Sequence, residues 1–525
     1  MVDLHQARIG PGAPLLDKKE ESRPHRHDLR GGVDASRAAF YTSNVPHPLA
    51  GKTSIAIAVM MTLLGAPYLS PALASFRIAR APWDRSISAD LVAAAMPTSA
   101  PQLTQGETTL KASKNEATVT NALPEAPGGA GRPLDAQALA KTKGSIAVED
   151  ATGHALDSFY ASLAKTRAKQ PGAVTRILHY GDSVITSDYV SGTMRRKMQT
   201  ELGDAGHGFI LIANPWEWYF HNDVVHGAGE GWSSSRITGP TTKDGMYGAG
   251  GVTFTGTPGA SAFFGTSDKG TFGKKVSRFD VYYLETPNGG EVEAKIGTTI
   301  EKFSTKGGED KVSRIKSFTV PDGEAKLVLR VLSGSPRLFG VALERDQAGV
   351  VYDALGANGA RAELLGSINA AHWREQLMLR KPALVVLQYG TNESEAPGIA
   401  ANYEKTLTNV VAMIKAAAPN ASILIASPLD RAEPAEGGGA RTKPIIKRLV
   451  EAQRHVAKDT GVAFWNTFEA MGGEGSMAKW MRSGLGGGDF THPSPQGAEI
   501  IGDLFFKALT TGLEAWSSTH TTPPP

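Results

Sequence analysis

Three residues set the chemistry this chain can attempt. Ser183 stands in "LHYGDSVITS" (178–187), and Asp489 and His492 stand three apart in "GGGDFTHPSPQG" (486–497). A serine hydroxyl is a weak nucleophile. It attacks a carbonyl only when a base takes its proton and a third group orients that base. An aspartate three residues before a histidine can hold one imidazole nitrogen while the other faces the serine. The set predicts acyl transfer through a covalent serine ester. A Gly-Asp-Ser tripeptide alone is a weak signal; its pairing with the distant Asp/His loop is what carries weight.

Acyl transfer also needs donors aimed at the oxygen that becomes negative, and losing one typically costs about 10²–10³ in rate. Two stretches offer them. "DALGANGAR" (353–361) can present the Gly359 backbone N–H, and "YGTNES" (389–394) the Asn392 side-chain amide. With the Ser183 N–H they would form an oxyanion hole. The competing reading for both is turn chemistry, which Gly and Asn serve routinely. Asp182 is read as structural, bonding nearby loop amides. In "NPWEWYFHND" (214–223) the aromatics Trp216, Trp218 and Tyr219 could contact a sugar ring, with packing against a neighbouring domain as the rival reading. "GWSSSR" (231–236) reads as a serine-rich connection without a second nucleophile. His179 and His207 read as local hydrogen-bonding residues. The 13 histidines are scattered and cysteine is absent, so no metal site, no disulfide and no cofactor is expected.

The elements between these segments must bring them to one place. Short apolar runs at 174–180, 350–356, 383–390, 422–428 and 461–466 read as strands covered on both faces. Helical periodicity fills the gaps. Leu407, Val410, Val411 and Ile414 follow i, i+3, i+4, i+7 spacing, and Pro419 marks the stop. The alternation predicts a parallel sheet in a three-layer α/β/α domain, with Ser183, Gly359 and Asn392 each just past a strand's carboxyl end, where open sheets bind ligands. Residues 230–345 break the rhythm. Period-two runs such as "SRFDVYYLE" and "KLVLRVL", separated by Gly, Asp, Asn and Pro, predict an inserted antiparallel β-sandwich.

Lysine and arginine number 55 against 52 acidic residues, a formal charge of +3. That balance, without a basic stripe interleaved with aromatics, gives no footprint for nucleic acid. No charge occurs between Lys52 and Arg77, so residues 53–76 read as a membrane anchor or as a signal peptide ending near "ALAS" (72–75). Both readings stay open, and either places the remainder in the periplasm or cell envelope. A polar segment, 1–52, precedes this stretch. Residues 77–150, rich in Ala, Pro, Thr and Gly, read as a low-complexity linker. The hydrolase domain is then expected over 151–229 and 346–515, with a disordered tail over 516–525.

The four segments resemble the SGNH, or GDSL-type, hydrolase superfamily, named for its Ser, Gly, Asn and His. Ser183 matches the first block, Gly359 the second, Asn392 the third, and Asp489 with His492 the last, in the family's order. One position departs: Glu393 stands where most of the superfamily has aspartate, which questions the local loop geometry. That glutamate, "AMGGEGSM" (470–477) and the insertion resemble a narrower group, the bacterial peptidoglycan O-acetylesterases with a jelly-roll-like insert. The resemblance implies a serine esterase removing O-acetyl groups from peptidoglycan or another envelope polysaccharide. A polysaccharide O-acetyltransferase using the same triad and a non-catalytic wall-binding module are the alternatives.

Overall fold

The computed structural model describes residues 146–395, 398, 402–436 and 438–520. Helix Asp157–Arg167 and strand β1 (Val174–Gly181) open the described chain, followed by the short helix Ser183–Thr186 and helix Tyr189–Leu202. Eleven strands follow with no helix among them: β2 (Gly208–Leu211), β3 (Val224–Ala228), β4 (Trp232–Arg236), β5 (Val252–Gly256), β6 (Ser261–Thr266), β7 (Val276–Glu285), β8 (Gly290–Ile296), β9 (Thr299–Ser304), β10 (Val312–Gly323), β11 (Lys326–Gly334) and β12 (Arg337–Glu344). The chain then returns through β13 (Gly349–Gly356), β14 (Leu384–Gln388), β15 (Ser422–Ala426), a ribbon of β16 (Ala432–Pro434) and β17 (Ala440–Thr442), and β18 (Ala463–Trp465).

Strands β1, β13, β14, β15 and β18 form one parallel sheet in the order β13-β1-β14-β15-β18. Their branched side chains alternate between two buried layers. Ile177, Tyr352, Val386 and Leu424 pack towards helices Asp157–Arg167, Tyr189–Leu202 and Pro495–Thr519. Leu178, Tyr180, Val385 and Ile425 pack towards helices Ala370–Arg380, Tyr403–Ala417 and Pro444–Thr460. Because both faces are covered, the strands carry no polar alternation. The three-layer α/β/α expectation holds. The chain steps from β1 to β13 on one side and then to β14 on the other. That reversal opens the crevice beyond the carboxyl ends of β1 and β14.

The insertion is antiparallel, as its period-two runs predict. One sheet runs β10-β7-β12-β5-β4, with β2 also pairing with β12, and the other runs β3-β6-β11-β8-β9. Its β-structure starts before residue 230: Gly208–Leu211 and Val224–Ala228 already belong to these sheets. "WSSSR", read as a connection, is strand β4, hydrogen-bonded along β5. A buried ion cluster joins the two parts. Arg380, 1% exposed, donates to Asp353 of β13 at 2.8 Å and to Glu344 of β12 at 2.9 Å. Glu344 also accepts from Arg176 at 2.6 Å and Arg278 at 2.8 Å. Desolvation raises the Glu344 carboxyl, but these guanidinium groups outweigh it and hold it at about 2.

Three boundary expectations are corrected. Residues 146–150 are attached to the sheet edge rather than being free linker: Glu149 exchanges backbone hydrogen bonds with Phe464, and Trp465 Nε1 donates to the Ile146 carbonyl at 3.1 Å. Residues 516–519 continue helix Pro495–Thr519, with Trp516 Nε1 donating to Asp157 at 3.0 Å. The transmembrane expectation also falls: among the described residues no helix is long and apolar enough to cross a membrane. Residues 53–76, to which it was assigned, lie outside the described residues, as do 1–52 and the rest of the expected linker before 146.

Candidate active site

Ser183 begins the short helix directly after β1. Asp182 caps that helix, accepting the Val184 N–H at 3.0 Å. Buried itself, Asp182 has a carboxyl raised by desolvation, opposed by the Thr391 hydroxyl and the Val184 amide. The Ser183 helix presses against the end of β13: a Cβ on Gly356 would lie 2.2 Å from the Thr186 nitrogen. Only glycine permits that approach, which brings the 353–361 loop beside the serine. Gly181 pairs with Gly356 on one side and with Gln388 on the other, so the loops after β13, β1 and β14 start abreast.

His492 reaches Ser183 from 309 residues away. Its Nε2 lies 2.7 Å from Ser183 Oγ, and its Nδ1 lies 2.5 Å from Asp489 Oδ2. Desolvation tends to raise the Asp489 carboxyl, but the His492 ring and the Thr491 and His492 amides outweigh it and hold it at about 2. The carboxylate therefore only accepts, Nδ1 carries the proton, and Nε2 is left to accept from the serine hydroxyl. The other carboxylate oxygen takes the backbone N–H groups of Thr491 and His492, each at 3.0 Å. The loop is closed by Gly487 N–H donating to the His492 carbonyl at 2.7 Å. Ser494 then caps helix Pro495–Thr519, with Pro495 in its first turn, and so anchors the histidine.

The two expected oxyanion donors are linked to one another. Gly359 is exposed in a turn at φ +75°, and Ala357 N–H donates to the Gly181 carbonyl at 3.0 Å. Asn392 Nδ2 donates one hydrogen to the Ala360 carbonyl at 2.9 Å; an amide nitrogen carries two, so a second is available to a ligand. Glu393, the departure from the family pattern, is buried and accepts from Ala362 N–H at 2.9 Å and Gly390 N–H at 3.0 Å. The glutamate ties the two loops together.

Sequence reasoning missed Arg431. Its guanidinium donates to the Thr391 carbonyl at 2.8 Å, to Ser394 Oγ at 2.5 Å and to Thr491 Oγ1 at 3.0 and 3.1 Å. It sits in no motif, and nothing in its neighbours along the chain signals this role. The aromatics divide. Trp218 is 40% exposed and sets its ring edge-on to His492, centroids 6.0 Å apart. Trp216 lies beneath the Arg236 guanidinium, 5.8 Å away. Tyr219 is corrected to a core residue: it is 3% exposed, and its hydroxyl accepts from Leu211 N–H at 2.8 Å and meets His221 Nε2 at 2.7 Å. His179 bonds Tyr352 and Gln388 at 2.9 and 3.0 Å, and His207 bonds His221 at 2.9 Å. Among the described residues no group of three or more His, Cys, Asp or Glu could hold a metal ion.

Residues 324–500 match the GDSL-like Lipase/Acylhydrolase family. Among solved structures, a peptidoglycan O-acetylesterase shares 22% identity over 70% of this chain and 99% of its own, with a TM-score of 0.61. At that identity the likeness is one of fold. A family two carbohydrate esterase from Cellvibrio japonicus matches at 14% identity over 56% of this chain and 98% of its own, with a TM-score of 0.23. No curated protein sequence matches the chain. Family match, architecture and site geometry agree on carboxylic ester hydrolase activity of the SGNH/GDSL type, in a chain similar in fold to a peptidoglycan O-acetylesterase.

Proposed function

We propose that the enzyme removes O-acetyl groups from a cell-envelope polysaccharide of the peptidoglycan type, outside the cytoplasm, through an acetyl-enzyme on Ser183. The observation that carries the reading is the continuous relay from Ser183 Oγ through His492 to Asp489, at 2.7 and 2.5 Å. His492 Nε2 takes the hydroxyl proton as Oγ attacks the acetyl carbonyl. The backbone N–H groups of Ser183 and Gly359 and the Asn392 amide receive the developing oxyanion. His492 then returns the proton to the departing sugar oxygen. A water, deprotonated by the same imidazole, releases acetate and restores the serine.

Two features favour a sugar ester over a lipid. The exposed Trp218 ring beside His492 offers a flat apolar face at the mouth of the site. The fold likeness to a peptidoglycan O-acetylesterase takes in 70% of this chain and 99% of that one. The test is acetate release from O-acetylated peptidoglycan by the purified protein and by Ser183→Ala. Release by the parent and none by the variant is expected; equal release by both refutes the reading.

A further inference from the structure

We propose that Glu393 is a positioning residue, its carboxylate clamping the Gly359 turn to the Asn392 loop so that both donors meet one acyl oxygen. The inference rests on the oxyanion reading just given and adds a residue to it. The geometry is a two-sided bridge. Oε1 accepts from Ala362 N–H at 2.9 Å, on the chain leaving the Gly359 turn, and Oε2 accepts from Gly390 N–H at 3.0 Å, at the start of the Asn392 loop. A third link runs alongside, from Asn392 Nδ2 to the Ala360 carbonyl at 2.9 Å. Without the carboxylate, that side-chain amide alone would have to hold the two loops in register while also serving the substrate.

The residue type follows from the span. Aspartate, shorter by one methylene, would withdraw the carboxylate by about 1.5 Å and could not keep both amides. A neutral glutamine keeps the length but turns an N–H₂ group towards one of two N–H donors. Glu393 is 1% exposed, and among the described residues no lysine or arginine pairs with it. A buried carboxylate without a cation persists only where backbone donors satisfy it. Such an arrangement costs stability, and the loops it joins are the ones the reaction uses. The ionisable groups facing it are Asp182 after β1, Tyr389 after β14 and Tyr403 of helix Tyr403–Ala417. The adjacent Gln453 of helix Pro444–Thr460 is neutral. Burial, with the Asp182 charge adding to it, pushes the carboxyl up to about 7 against the pull of the amides. The bridge therefore holds with both oxygens above that pH and loses one acceptor below it.

The test compares the full chain with Glu393→Gln and Glu393→Asp. It uses kcat and KM on p-nitrophenyl acetate and amide hydrogen exchange of residues 357–362 and 389–395. The expected result for Glu393→Gln is a kcat about 10- to 100-fold lower, as for a small misplacement of catalytic groups, with KM within about twofold. Exchange in both loops should be faster. In the parent, ionisation favours the opened loops over the buried site, so exchange corrected for its intrinsic pH dependence should speed up as pH rises from about 5 to about 7, a step absent from Glu393→Gln. A Glu393→Gln protein with parental kcat and parental exchange overturns the proposal. Should that variant fail to fold, Glu393→Asp carries the same comparison. If the parent itself releases no acid, the esterase reading fails; the exchange data still decide the clamp, and unchanged exchange overturns it.

Discussion

Arg431 holds Thr491, the residue immediately before His492, with two donors on one hydroxyl at 3.0 and 3.1 Å. The same guanidinium grips Thr391 and Ser394 on the Asn392 loop. One planar fork thus fixes the His492 loop relative to the Asn392 loop, a task suited to arginine's rigid set of donors. Arg431→Lys supplies a single point of donation and should lower kcat about 10-fold or more while the protein still folds. Steady-state kinetics on a small acetyl ester checks this, with a thermal melt to separate misplacement from unfolding.

Asp489 determines which nitrogen of His492 bears the proton. Asp489→Asn can present an N–H to Nδ1, which favours the wrong tautomer, and should reduce kcat by roughly 10²–10⁴-fold with little change in KM. The sign of the pH effect is also fixed. The carboxyl is held at about 2, below its ordinary 3.8, so its stabilising contribution is complete above pH 4. It is lost as the pH falls from there through about 2. Asp489 should therefore add no acid limb to the rate profile above pH 4.

Removing Arg380 should weaken the joint between the sandwich and the parallel sheet. Arg380→Ala leaves the buried Glu344 and Asp353 carboxylates short of their shared cation. The expected loss is about 3–5 kcal/mol, the range for breaking a buried pair. Urea denaturation of parent and variant measures it. A midpoint unchanged at constant slope would show that Arg176 and Arg278 suffice.

Glu393 predicts a stability trend opposite to that of Asp489. Its carboxyl lies at about 7 in the folded state against 4.5 in the unfolded chain. Between those values the folded form keeps a proton the unfolded form has lost, so stability falls as the pH rises through the window, by up to about 3 kcal/mol. Glu393→Gln lacks this contribution. The stability of the parent relative to the variant should therefore decline between pH 5 and pH 8, as measured by denaturant titration at each pH.

Much of the fold was legible because burial wrote itself into composition. Strands β1, β13, β14 and β15 sit between two helical layers, and their runs of Val, Leu and Ile say so. Strand β4 escaped because "WSSSR" has no apolar alternation; it is held by backbone pairing with β5 and by Trp232 Nε1 donating to the Ser261 carbonyl at 2.9 Å. Strand β9 escaped because it is an edge strand with its first four residues exposed. At the site, the meeting of Ser183, Asp489 and His492 was readable from type and spacing. Tyr219 was not, since a run of aromatics does not reveal which rings turn inward. Arg431 was invisible for a different reason. The partners of its guanidinium lie 36 to 60 residues away along the chain, and only the folded sheet brings them within reach.

The central claim is that Ser183 carries the acyl group, and peptide mapping by mass spectrometry after rapid acid quenching of the enzyme with p-nitrophenyl acetate tests it directly. The account predicts an acetyl group on the peptide containing Ser183, absent from Ser183→Ala. Continued turnover by that variant, or acetyl found only on another residue, would contradict it.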